Sequence, residues 1–495
     1  MAVVIAIDAG TTGVRCLAVR EDATPSAYAY REFPQHFPGP GLVEHDPDDI
    51  WDAVVRTLAE IASRLQGEPV AAIGITDQRE TVVTWDRRTG RPLYNAIVWQ
   101  DRRTAARCDE LREAGHLDRV RRTTGLVLDP YFSATKLEWL LTTGGVPRGP
   151  ELAFGTVDSW VLWNLTGGSA GAESVHATEP SNASRTLLFD IGRLDWSPEL
   201  LDLFAIPPSC LPELRPSSGR FGTTADGLPL PAGIRVAGIL GDQQAALLGQ
   251  ACLEPGMTKN TYGTGSFVLM NVGERCPEPV SGLLGTVAWT RQGHAGATYA
   301  LEGSIFATGA AVQWLRDGLG IIAESAEIGP LAESCPDSDG VFLVPAFTGL
   351  GSPWWDPYAR GAILGISRGV GRAQLARAAI EAMAYQTRDV VDTMTAASGR
   401  PISELRADGG ASVLDLLLQL QADQLQVPVA RPRVQETTAL GAAFAAGMAE
   451  GVWSQDDVAA QWQLDRRYEP FMDRKIADER HAQWRRAVER SLTWA

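Results

Sequence analysis

The sequence predicts an α/β protein of more than one domain, on three observations. Short β-branched, apolar runs alternate with longer stretches of helical spacing, as expected for strands buried between helical layers. A strand, a Thr/Gly turn and a second strand open the chain, and the same arrangement returns about half a chain later. The 495 residues, 45% of them apolar, exceed what one core commonly holds, so two to four domains are expected.

The elements follow in order. Val3 to Ile7 is a β-branched run suited to a strand buried on both faces. Asp8-Ala9-Gly10-Thr11-Thr12-Gly13 is the turn, and Val14 to Val19 the second strand of a hairpin. Pro47 to Ser63 reads as a helix, with Asp46 as N-cap and Pro47 at the first position, where a missing N–H costs nothing. Val70 to Ile75 is another buried strand. Leu253-Glu254-Pro255-Gly256 punctuates the chain and sets a domain boundary near 250, giving domains 1–250 and 251–495. Asn260-Thr261-Tyr262-Gly263-Thr264-Gly265 then leads into the strand Phe267 to Met270. The repeated hairpin fits two duplicated domains and two ordinary tight turns equally well. Arg372 to Ala397 is helical, with Gly399 as its C-cap. Arg406 to Ser412 carries a glycine pair ahead of the helical run Leu414 to Leu425.

A net charge of -16 argues against nonspecific binding of nucleic acid or anionic membrane. Any phosphate must be held locally, by backbone amides or a few placed cations. Of the 44 basic residues only Lys136, Lys259 and Lys475 are lysines, a bias that reads as base composition rather than chemistry. Six scattered cysteines form neither a disulfide framework nor a zinc site. No apolar run reaches the roughly 18 residues of a membrane span, and no signal peptide is visible. The expectation is a soluble, reduced, cytoplasmic protein.

No Walker-type loop and no Gly-x-Gly-x-x-Gly between strand and helix is present. The two Thr/Gly hairpins offer another phosphate site, through close backbone amides and Thr hydroxyls. The glycine pair Gly409-Gly410 leaves room for a flat ring. Further segments carry a resemblance: Asp77-Gln78-Arg79-Glu80-Thr81, Tyr94 to Gln100, Asp129-Pro130-Tyr131-Phe132-Ser133, Ser181 to Thr186, Gly241-Asp242-Gln243-Gln244-Ala245 and Pro345 to Gly351. Together these resemble, in order and over nearly the whole chain, the sugar-kinase family of glycerol and pentulose kinases in the actin-like ATPase superfamily. The glycerol kinase branch is the more specific match.

The resemblance implies two ribonuclease-H-like domains with a nucleotide cleft between them, ATP and Mg²⁺ as co-substrate and cofactor, and a homo-oligomer, dimer or tetramer. It implies ATP-dependent phosphorylation of glycerol to sn-glycerol 3-phosphate in glycerol catabolism, with a pentulose kinase as the alternative. The implied glycerol site is Arg79, Glu80, Tyr131, Asp242 and Gln243, with Trp99 and Phe267 against the carbon chain. A triol offers three hydroxyls and little apolar surface, so oriented donors, acceptors and aromatic walls suit it. Asp242 is the implied general base. Asp8 and Asp242 are the implied Mg²⁺ residues. Thr11, Thr12, Gly13, Arg15, Thr264, Gly309, Gln313 and Gly410 are the implied nucleotide contacts. Leu414 stands where the family often has an adenine-touching Asn. The loop Ala225 to Ile234 lacks the Arg and Lys of the family's fructose 1,6-bisphosphate site, and Ser217 to Leu228 lacks its phosphorylatable His. An actin-like filament or chaperone module is the rival of a different class, and it has no use for a base at Asp242.

Overall fold

The computed structural model describes residues 2–171 and 174–495. Its first sheet contains β1 (Val3–Ala9), β2 (Gly13–Arg20), β3 (Pro25–Glu32), β4 (Val70–Asp77), β5 (Ser218–Thr223) and β6 (Arg235–Gly241). They lie in the order β5-β6-β4-β1-β2-β3. The pairs β1–β2 and β2–β3 are antiparallel, whereas β1–β4 and β4–β6 are parallel. The helix α1 (Pro47–Leu65) lies between β3 and β4, and the Asp46 carboxylate caps it by accepting from Asp48 N at 2.9 Å.

The second sheet contains β7 (Thr258–Tyr262), β8 (Ser266–Gly273), β9 (Leu284–Trp289), β10 (Thr298–Ile305), β11 (Leu405–Asp408), β12 (Val429–Pro432) and β13 (Leu464–Tyr468). Their order is β9-β10-β8-β7-β11-β12-β13. Again the first hairpin pair and the next strand are antiparallel, β7–β8 and β8–β10, and the following two pairs are parallel, β7–β11 and β11–β12. Five strands of each sheet therefore repeat the same order and the same directions. The protein is built of two ribonuclease-H-like units, the actin-like organisation. A β1–β2 hairpin can be mimicked by chance, whereas a five-strand order with matched directions cannot.

Alternation along β1 shows how each face is used. Val3, Ile5 and Ile7 face α1 through Ile50, Val54, Leu58 and Ile61. Val4 and Ala6 face the opposite way, into a core shared with the second unit. That shared core is built on α2 (Asp242–Gly249), which follows β6, and α5 (Thr437–Ala449), which follows β12. The far face of the second sheet is covered by α3 (Arg372–Ser398) and α4 (Asp415–Leu425). Gly399 closes α3 in the left-handed region at φ 65°, as its C-cap role requires. Both hairpin turns, Gly10–Gly13 and Gly263–Gly265, are thus aimed at the junction of the two units.

Candidate active site

The strand β4 delivers Asp77 and then bends sharply. Thr81 N donates to Arg79 O at 2.8 Å, and Glu80 between them has φ 64°. That is a strained γ-turn at a non-glycine residue, fixed by the Ser133 hydroxyl donating to Glu80 O at 3.0 Å. The bend turns both Arg79 and Glu80 inward, where they are 2% and 1% exposed. Gly241, ahead of Asp242, makes room for the arginine stem. A Cβ there would lie 2.7 Å from Arg79 Cγ and Cδ.

The sequence reading aims the Arg79 fork at the substrate. The structure gives that fork to Glu302 on β10, at 2.6 and 3.0 Å. The remaining donors reach Gln244 Oε1 at 3.1 Å and Tyr131 Oη at 3.4 Å, and Nε lies 3.2 Å from Asp242 Oδ1. Arg185, from the helix-turn segment after Glu179, donates to Glu80 at 2.7 Å and to Glu302 at 2.9 Å. Four buried charges, two of each sign, thus interlock beneath the site. Burial raises a lone carboxyl, yet at Glu302 the Arg185 and Arg79 guanidiniums outweigh burial and hold it at about 2. Burial prevails at Glu80 over Arg79 and Arg185, and at Asp242 over Arg79 and Lys259, and both carboxyls lie above their ordinary values. Arg185 and Glu302 were missed as functional residues. The signal for Glu302 was present, a lone carboxylate inside the apolar strand Tyr299-Ala300-Leu301-Glu302-Gly303.

Above this network lies a cavity of about 190 Å³. It is lined by Arg79, Glu80, Trp99, Tyr131, Asp242, Gln243 and Phe267, and also by Thr11, Thr261 and Gly263-Thr264-Gly265. The aromatic walls stand edge to face, Trp99 to Tyr131 at 5.6 Å and Trp99 to Phe267 at 6.3 Å between ring centroids. Trp99 Nε1 donates to Thr11 Oγ1 at 3.0 Å, which ties the wall to the first hairpin turn. Lys259 on β7 is fully buried and donates to Gln243 Oε1 at 2.6 Å and Thr261 Oγ1 at 2.8 Å. Burial lowers its ammonium to about 8.

All seven residues of the implied glycerol site therefore meet in one cavity, together with Thr11 and Thr264 of the implied nucleotide set. The other implied residues lie outside that lining. Thr12 is exposed at the tip of the first turn, and Gly13 closes it by accepting from Gly10 N at 3.0 Å. Gly309 N donates to Gly263 O at 3.0 Å, so the short helix Gly309–Gln313, with Gln313 exposed, is fastened to the second turn. Gly410 is exposed near Leu414, and a Cβ there would project into open space. Arg15 pairs with Asp8 at 3.1 Å and with Glu436 at 3.0 Å.

Asp8 is 6% exposed, and burial, with the Asp242 and Glu436 charges adding to it against Arg15, raises its carboxyl to about 6. Asp8 and Asp242 thus stand within electrostatic reach of each other, and Asp242 lines the cavity. Among the described residues no cluster of three or more His, Cys, Asp or Glu converges as a metal cage. Two carboxylates beside the Thr/Gly turns fit Mg²⁺, which keeps several waters and takes one or two carboxylates plus phosphate oxygens.

A small cavity walled by aromatic rings and charged or amide side chains, and bordered by both Thr/Gly turns, in the cleft of a duplicated actin-like fold, is what a kinase of a small hydroxylated substrate requires. The chain belongs to the FGGY family of carbohydrate kinases: residues 3–249 match that family's N-terminal domain and residues 258–450 its C-terminal domain. It is 52% identical over 504 residues to glycerol kinase 2 of Thermotoga maritima, covering 100% of this chain and 99% of that protein. It is 54% identical over 503 residues to the glycerol kinase of Trichlorobacter lovleyi, covering both chains fully. Among solved structures, Plasmodium falciparum glycerol kinase with ADP superposes with a TM-score of 0.91 at 33% identity, covering 99% of this chain and 98% of that one. A xylulose kinase from Lactobacillus acidophilus superposes with a TM-score of 0.87 at 21% identity over 99% and 97%, which shows the fold alone. Among the described residues no helix is long and apolar enough to cross a membrane.

Proposed function

We propose that the protein transfers the γ-phosphoryl group of ATP to a terminal hydroxyl of glycerol, giving sn-glycerol 3-phosphate and ADP. The observation that carries this reading is the shared cavity. Polyol-sized space, a carboxylate at Asp242 and the Gly263–Gly265 turn line the same 190 Å³. Whole-chain identity of 52–54% to proteins named glycerol kinase supports the choice of glycerol over a pentulose.

In this reading glycerol lies with its C–H edge on Trp99 and Phe267 and its hydroxyls toward Asp242, Glu80 and Gln243. Asp242 accepts the hydroxyl proton as that oxygen bonds to the γ-phosphorus and the bond to the β,γ-bridging oxygen breaks. Arg79 keeps Asp242 oriented through its Nε, so it serves the base more than the substrate. The turns Thr11–Gly13 and Gly263–Gly265 hold phosphate oxygens with backbone amides and Thr hydroxyls. Gly309, Gln313 and Gly410 border the adenosine, and Arg15 lies behind Asp8. Asp8 and Asp242 would hold Mg²⁺, which would supply neutralisation of phosphate charge. Cytoplasmic placement and homo-oligomeric assembly belong to the same reading, and light scattering tests the second.

A coupled assay of ADP release tests the function. Glycerol-dependent release well above the rate without polyol is expected. Equal release with and without glycerol, or a higher kcat/KM on a pentulose, would overturn it.

A further inference from the structure

Arginine has displaced lysine almost throughout this chain. Three of 44 basic residues are lysines, and two of those three, Lys136 and Lys259, are fully buried at 0% exposure. Both hold oxygen atoms of residues that bear on the cavity. Lys136 Nζ donates to the carbonyls of Pro130 at 3.3 Å and Tyr131 at 2.5 Å. Lys259 Nζ donates to Gln243 Oε1 and Thr261 Oγ1, both on residues that line the cavity. A compact ammonium with freely turning donors suits such sites, where a planar guanidinium fork would not fit.

The consequence at Lys259 is chemical. A side-chain amide can present either its oxygen or its nitrogen to a ligand, and a hydroxyl can either accept or donate. Lysine only donates. Once Nζ holds Gln243 Oε1, the amide nitrogen is the end left for the cavity. Once Nζ holds Thr261 Oγ1, that hydroxyl proton is free to donate elsewhere. Among the other charged side chains of the lining, the Arg79 donors are committed to Glu302, Gln244 and Tyr131, with Nε at Asp242. Asp242 and Glu80 only accept when ionised.

We propose that Lys259 is a positioning residue that fixes the hydrogen-bond polarity of the polyol site, committing Gln243 and Thr261 to donate to substrate oxygens. The proposal rests on the glycerol-phosphorylating reading above. It also makes Lys259 a tie between the two units, because Gln243 stands on α2 and Lys259 and Thr261 on β7.

The test is a substrate cycle with Lys259→Met. The KM for glycerol and the inhibition constants of propane-1,2-diol and propane-1,3-diol are measured for wild type and variant, beside a thermal melt. Glycerol affinity is expected to fall about tenfold or more. Affinity for the diol that lacks the hydroxyl served by Gln243 should fall clearly less than that for glycerol, because one of the two donors released has nothing to meet. An unchanged glycerol KM in the folded variant, or one equal loss across glycerol and both diols, overturns the proposal. If Lys259→Met does not fold, Gln243→Glu replaces it. That carboxylate still accepts from Lys259 but offers the cavity no donor, so the same single diol should be insensitive, and an equal loss on all three again overturns it. Failure of the underlying reading is seen separately, as wild-type enzyme without glycerol-dependent ADP release.

Discussion

At the residue scale the site rests on carboxylates whose neighbours set their properties. Asp242 begins α2 with its side chain 27% exposed and its carboxylate 3.2 Å from Arg79 Nε. An amide there keeps the shape and loses the proton acceptor. Asp242→Asn is expected to lower kcat by roughly 10²–10⁴-fold while glycerol still binds, read by steady-state kinetics and calorimetric titration. Glu302 does not line the cavity yet anchors both arginines. Its carboxyl is held at about 2 against an ordinary 4.5. A depressed carboxyl stabilises the fold above its unfolded value, and that contribution is lost as pH falls from 4.5 through 2. It amounts to about 3 kcal/mol. Glu302→Gln leaves Arg79 and Arg185 short of a counter-charge, a loss of about 3–5 kcal/mol at pH 7. The gap in Tm between wild type and Glu302→Gln should therefore narrow as pH is lowered from 7 toward 3. A gap that stays constant would show that Glu302 is not ionised in the fold.

At the scale of elements, the two units meet through helices at unusually close range. A Cβ on Gly441 of α5 would lie 1.8 Å from Ala245 O of α2, and one on Gly249 of α2 would lie 1.9 Å from Thr437 O. Backbone cannot yield as a flexible side chain does. Gly441→Ala should destabilise by about 3 kcal/mol or more, seen as a large drop in Tm or loss of soluble protein. Gly410→Ala is the contrasting case, since nothing lies within 4 Å of the added carbon. It should melt like wild type and raise the KM for ATP if the adenosine lies there. The elements themselves were largely legible. α1 runs to Leu65 and α3 to Ser398, a residue or two past the helices expected from capping and periodicity. α4 begins at Asp415 because residues 410–413 form a tight 3₁₀ turn after the glycine pair. The strained turn at Glu80 was not legible, since no residue type announces a left-handed glutamate; only the tertiary bonds around it hold it.

For the whole molecule, the charge of -16 and the fate of one arginine decide how a polyanion is received. The loop Ala225 to Ile234 has no basic residue of its own, and the next residue, Arg235, is paired with Glu450, which also holds Arg220 at 2.7 and 3.0 Å. Loop amides are occupied as well, Ala225 N by Leu165 O and Gly233 N by Thr224 O, both at 2.9 Å. With no free basic side chain in the loop and a repulsive long-range field, millimolar fructose 1,6-bisphosphate should leave the initial rate at saturating ATP unchanged. Inhibition that disappears when residues 225–235 are replaced would refute this.

The sequence by itself determined the strands, the long helices, both glycine turns and the family. Each of these is written in residues close together, as β-branched runs, caps, turn residues or contiguous motifs. Only the tertiary structure decided what the side chains do to one another. Arg79 and Glu302 lie 223 positions apart, so no local pattern could pair them. Their pairing commits the Arg79 fork to Glu302 and sets its Nε beside Asp242. The duplication was decided in the same way. Two hairpins half a chain apart are a coincidence of four or five residues, whereas five strands in matched order and direction require the backbone hydrogen bonds of two whole sheets.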